Sequence, residues 1–155
     1  MANIFDYLIW RGDLPLSVSP FNEVDGAVFA RLSYLPFELI MPCDSLVSVT
    51  IADVAAALIS LNIKKPGSLR KENDAKLLEM LLNSRRFRDI ELFGYSHLFD
   101  AATQTQFSAV TFRPSKNKLY VFFRGTDSTL VGWKEDFNMC FVCPVPAQSN
   151  AVDYL

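Results

Sequence analysis

The residues whose types and spacing could do chemistry are Arg124, Gly125, Thr126 and Asp127, with Trp133 and Asp136 shortly after them. They follow the apolar run Tyr120-Val121-Phe122-Phe123, so a buried strand stops at Arg-Gly-Thr and hands over to a short helical segment. Acyl transfer builds negative charge on a carbonyl oxygen, and each preorganised backbone N–H aimed at it contributes about 2.7–4 kcal/mol. A strand end with Gly125 to permit a tight turn, then a hydroxyl residue, suits such a donor. The same residues also suit a plain strand-end turn in which Arg124 pairs with a local acid and Thr126 caps a helix.

A complete acyl-transfer site needs a nucleophile, a base and an acid as well. His97 is the single histidine of the chain. Gly94-Tyr95-Ser96-His97-Leu98 imitates a nucleophile elbow, but its second glycine is missing and it precedes the Arg-Gly-Thr loop. Successive strand residues point to opposite faces, so Ser96 and His97 are not expected to pair. Cys140-Phe141-Val142-Cys143 has no second ligand pair for zinc and is expected to be two packed thiols. No metal and no cofactor is expected. Arg11-Gly12-Asp13 reads as a helix stop, and the clusters Lys64-Lys65 and Arg85-Arg86-Arg88 read as solvated surface, too small for a nucleic-acid footprint.

The elements that must position the loop fall into two textures. Residues 1–89 read as helical and residues 90–155 as a strand meander followed by the Arg-Gly-Thr loop and further helical stretches, all within a single domain 1–155. Phe5, Leu8 and Ile9 give an opening helix that stops at Gly12. Asn22 can cap a second helix, with Val24, Val28, Leu32 and Leu35 on one face. Thr50-Ile51-Ala52-Asp53 is close to a capping box and opens a helix carrying Val54, Ala55, Leu58 and Ile59, which Lys65-Pro66-Gly67-Ser68 breaks. Asn73 opens another with Leu77, Leu78, Leu81 and Leu82, and Arg85, Arg86 and Arg88 suit its C-terminal dipole.

Phe93 to Phe99, Phe107 to Phe112 and Leu119 to Phe123 read as three strands, most simply an antiparallel meander with turns at 101–104 and 114–117. Leu119 to Phe123 is apolar without alternation, which predicts a strand covered on both faces. Helical patterns return around Trp133 to Phe137 and from Gln148.

Half of the 155 residues are apolar, enough for a packed core. The net charge of −2 and pI near 5.3 give no drive toward nucleic acid or anionic membranes. No segment approaches the roughly 20 apolar residues of a transmembrane helix. The N-terminus lacks the basic and apolar regions of a secretory signal. Three cysteines form no even disulfide framework, and a cytoplasmic setting is expected.

Phe123-Arg124-Gly125-Thr126, Ser128-Thr129-Leu130 and Trp133-Lys134-Glu135-Asp136-Phe137 together resemble the oxyanion-loop and lid region of class 3 lipases. The whole chain resembles the N-terminal portion of a bacterial family of uncharacterised lipase-like α/β-hydrolases, through Asn3 to Asp13, Asn22 to Asp25 and Gly132 to Asn138. The resemblance implies an α/β fold: N-terminal helices and a strand meander leading into the partial sheet of an α/β-hydrolase. It makes Thr126 the oxyanion residue, Gly125 the turn that permits it, and Arg124 and Asp127 its support. Trp133 and Asp136 would sit in the lid-like helix, the Trp toward an ester or lipid substrate and the Asp as anchor.

The family also needs a Gly-x-Ser-x-Gly elbow, an acid and a histidine beyond this loop. Their absence, and a last helix that stops without a capping residue, lead to the expectation of a truncated chain with an unpaired sheet edge that self-associates or is covered by a partner. On that reading the chain alone is inactive. The alternative is a non-catalytic binding or scaffolding module derived from a hydrolase.

Overall fold

The computed structural model describes residues 3–61, 71–126 and 129–155, with backbone only for Lys71 and Glu72. Lys64-Lys65, the Lys65-Pro66-Gly67-Ser68 break, Asp127 and Ser128 lie outside them. The order is helices α1 (Ile4–Arg11) and α2 (Glu23–Leu32), a single 3-10 turn Phe37–Leu39, strand β1 (Val49–Thr50), then helices α3 (Ile51–Ser60) and α4 (Lys71–Asn83). Strands β2 (Glu91–Asp100), β3 (Thr105–Ser115) and β4 (Lys118–Phe123) follow, then helices α5 (Leu130–Asn138) and α6 (Pro146–Tyr154). The strands form one antiparallel sheet in the order β1-β2-β3-β4. The fold is thus mixed helix and antiparallel sheet.

Local chemistry starts three helices. Asn3, Asn22 and Thr50 each accept from the backbone N–H three residues on, and Asp6, Asp25 and Asp53 reach back to the cap N–H. Each closed box satisfies helix-end donors that would otherwise lack partners. The Thr50 hydroxyl also holds the Asp53 carboxyl below its ordinary range.

The sheet is covered on both sides. On one, Phe29 of α2 stacks on Phe112 of β3 (centroids 4.4 Å apart) and meets Phe122 of β4 edge-on, within a core that includes Phe37, Phe87, Leu77 and Leu81. On the other, α5 and α6 pack against β3. Tyr154 of α6 donates to Gly94 O (2.7 Å) and shares a hydrogen bond with Thr111 Oγ1 (2.9 Å). Gly94, with φ +64°, sits in a β-bulge between Phe93 and Ser96. Its N–H is taken by Ser45 O, so loop and helix grip the bulge together.

Several expectations change. β1 interrupts the helical part, and Lys71 and Glu72 are already helical, so Asn73 does not open α4. β3 runs on through Ser115. The strand covered on both faces is β3, where Phe107 to Phe112 are all buried, whereas β4 is the sheet's edge and Leu119 and Phe123 are exposed. An unbroken apolar run there reflects one covered face and one open one. Val24 and Ile59 lie off the buried faces of their helices. Cys140 and Cys143 are exposed, not packed, because the turn after α5 faces outward.

The largest correction concerns Arg86, which is fully buried rather than solvated. Its Nε donates to Asp25 Oδ1 (2.6 Å) and its Nη2 to Asp25 Oδ2 and Pro20 O, while Nη1 donates to Leu14 O and Ser19 O. Every donor of the guanidinium fork is thereby used. Asp25 also accepts from Tyr7 Oη (2.8 Å) and Asn22 N (2.9 Å). The Asn22-to-Asp25 segment is therefore a structural clamp between α1, α2 and the chain after α4.

Candidate functional site

β4 ends at Phe123, and the next N–H, that of Arg124, donates to Ser108 O of β3 (2.8 Å). Gly125 and Thr126 then leave the sheet exposed. Thr126 Oγ1 donates to Asp136 Oδ1 of α5 (2.7 Å), tying the strand-end loop to the following helix. Among the described residues the backbone N–H groups of Gly125 and Thr126 have no hydrogen-bond partner. Thr129, not Thr126, caps α5 by accepting from Gly132 N (3.2 Å).

The seating of α5 is fixed from its inner face. Glu135 is buried, and its two oxygens accept from Gln106 N (2.8 Å) and Ala147 N (2.9 Å). These bonds bolt α5 to the start of β3 and to the first turn of α6. Gly132 lies against Gln106 and Thr126; a Cβ there would sit 2.8 Å from Thr126 Cγ2. At Gly125 a Cβ would meet only the far end of the exposed Tyr34 side chain (Oη, 2.8 Å), which can give way, and the left-handed conformation falls at Gly94 instead.

Arg124 points back along the sheet. Its Nη2 lies 3.4 Å from His97 Nδ1, and its buried Nε has no hydrogen-bond partner among the described residues. A guanidinium only donates, so this contact uses the His97 tautomer that leaves Nδ1 free to accept. The His97 ring lies nearly parallel to that of Tyr95 (7°, centroids 6.3 Å apart). Tyr95 O–H donates to Glu38 Oε2 (3.2 Å), and burial, reinforced by the Glu38 charge, pushes its phenol well above the ordinary range.

The structure thus brings Arg124, Gly125, Thr126 and Asp136 together. Asp127 lies outside the described residues. Trp133 is on the outer face of α5 and is 60 % exposed. Ser96 and His97 fall on opposite faces, their partners across β3 being Ala109 and Ser108. Tyr34 and Glu38, from the segment after α2 and the 3-10 turn, and Tyr95, His97 and Ser108, from β2 and β3, gather near Arg124 and Gly125 without any sequence signal, because only strand register and the packing of that segment on the sheet make them neighbours. Among the described residues no group of three or more His, Cys, Asp or Glu could hold a metal ion. No helix among them is long and apolar enough to cross a membrane. Chemically, the arrangement offers, on two exposed residues, backbone N–H groups without a partner among the described residues, which suits holding an anionic oxygen.

A family model described as Mbeg1-like matches residues 81–155, the stretch that contains β2 to β4, α5, α6 and every candidate residue. No curated protein and no solved structure matches the chain.

Proposed function

We propose that this chain is the N-terminal portion of a serine carboxylic-ester hydrolase of the lipase-like α/β-hydrolase kind, and that it supplies the oxyanion loop and the lid-like helix. The observation that carries the reading is the exposed Gly125-Thr126 strand end, held to α5 by the 2.7 Å bond from Thr126 Oγ1 to Asp136 Oδ1. That tie fixes a backbone N–H where a developing carbonyl oxyanion could be held, at about 2.7–4 kcal/mol per donor. On this reading the open edge of β4 receives the strand that bears the nucleophile, and the substrate is a carboxylic ester, including lipid esters. The setting is cytoplasmic, where the exposed thiols stay reduced.

The test is hydrolysis of p-nitrophenyl acetate and butyrate by the 155-residue chain. No turnover above buffer is expected, because the chain holds the oxyanion side of the site without the triad. Turnover that vanishes in Ser96→Ala or His97→Ala would overturn the reading. A non-catalytic binding module is the second reading, favoured by the sole histidine turning its Nδ1, the nitrogen that a triad gives to its acid, to the Arg124 guanidinium.

A further inference from the structure

The outer face of α5 is a stripe of large apolar side chains. Leu130, Trp133 and Phe137 recur at helical spacing, and Phe141 and Val142 continue the stripe past the helix end. Their exposures are 72, 60, 65, 75 and 53 %. The stripe cannot roll inward, because Glu135 fixes the opposite side of the helix to β3 and α6, and Asp136 ties its flank to the Thr126 loop.

We propose that a second copy of this chain covers this face, α5 against α5 across a two-fold axis. This inference does not depend on the hydrolase reading. With aromatic side chains of about 150–250 Å² each, the exposed stripe presents roughly 600–700 Å² of apolar area. That is at or above the roughly 300–600 Å² of the largest patch on a typical monomer. It approaches the about 800 Å² per partner of a stable interface. A face that is apolar throughout is its own complement, as a two-fold contact requires. Phe137 and Phe141 already touch (centroids 5.2 Å apart), so little side-chain freedom is lost on docking. A lipid surface fits less well: α5 carries one basic residue, Lys134, beside Glu135 and Asp136, in a chain of net charge −2. Helices that lie in membrane interfaces are rich in Lys and Arg on their polar face.

The experiment is sedimentation velocity on the full chain in reducing buffer, from about 1 to about 200 μM protomer. The reductant keeps exposed Cys43, Cys140 and Cys143 from forming covalent dimers. A reversible dimer is expected, with Trp133 emission shifting to the blue in step with it in a Trp10→Phe background. Trp133→Glu and Phe137→Glu should each weaken the dimer by about 100-fold, the scale of an aromatic hot spot. Both residues are exposed, so a retained thermal transition will show that the variants fold. A monomer at every concentration would overturn the proposal. So would a dimer indifferent to both variants, or a monomer that binds phosphatidylcholine vesicles through Trp133.

Discussion

Replacing Asp25 with Ala removes the anion facing Arg86 at a site where both side chains have no solvent exposure. The guanidinium keeps three backbone carbonyl partners, those of Leu14, Ser19 and Pro20, but loses its only countercharge in the network. Breaking a buried pair from one side costs about 3–5 kcal/mol. Tyr7 Oη and Asn22 N lose their acceptor in the same step, which favours the upper half of that range. Domains of ordinary stability hold about 5–15 kcal/mol in all. In urea, with a slope of about 2 kcal/mol per M, the midpoint should fall by about 2 M with the slope unchanged. Arg86→Ala should cost at least as much, since it also strands the three carbonyls. The double variant should cost at least about 2 kcal/mol less than the two singles together, because they act on one contact. A midpoint shift under about 0.5 M for Asp25→Ala would refute the claim that this pair clamps the helices.

Two further outcomes follow from hydroxyl groups. Tyr154→Phe should destabilise the chain by about 1–3 kcal/mol, because the carbonyl of Gly94 and the hydroxyl of Thr111 lose a shared partner; an unchanged urea midpoint would contradict this. Tyr95 has a raised folded pKa, so its contribution is fully present below the ordinary tyrosine value of about 10 and is lost as pH climbs beyond it. Alkaline unfolding monitored by tyrosinate absorbance should therefore be shifted in Tyr95→Phe, and ionisation of Tyr95 near 10 in the folded protein would refute the burial argument.

What the sequence discloses is what neighbours along the chain decide. The Thr50 to Asp53 box, the Asn22 cap, the three-strand meander and the helix around Trp133 are local patterns, and the structure contains all of them. Arg86 looks like surface in the sequence because the partner that justifies its burial lies 61 residues away. The position of β4 is not legible in the sequence because an apolar run reports hydrophobicity, while strand order reports which neighbours exist. Of the site, Arg124 to Thr126 and Asp136 were legible as a motif. The cluster of Glu38, Tyr95, His97 and Ser108 behind Arg124 was not, since it depends on register between strands and on the 3-10 turn that brings Glu38 to Tyr95.

The extra residue at Gly94 has an effect beyond its own turn. Alternation puts every second residue of a strand on the same face, and an insertion of one advances that rhythm by half a period. Leu92, opposite Phe112, faces the core; with unbroken alternation Ser96 and Leu98 would share its side, and Tyr95 and His97 would face α6. The bulge resets the phase, so Tyr95 joins the core beside Phe37 and His97 arrives beside Arg124. The strand is in effect two half-strands of opposite parity joined at a glycine. Tyr154, near the end of the last helix, latches that joint, so the seating of α6 and the side from which His97 approaches the loop are set at one residue.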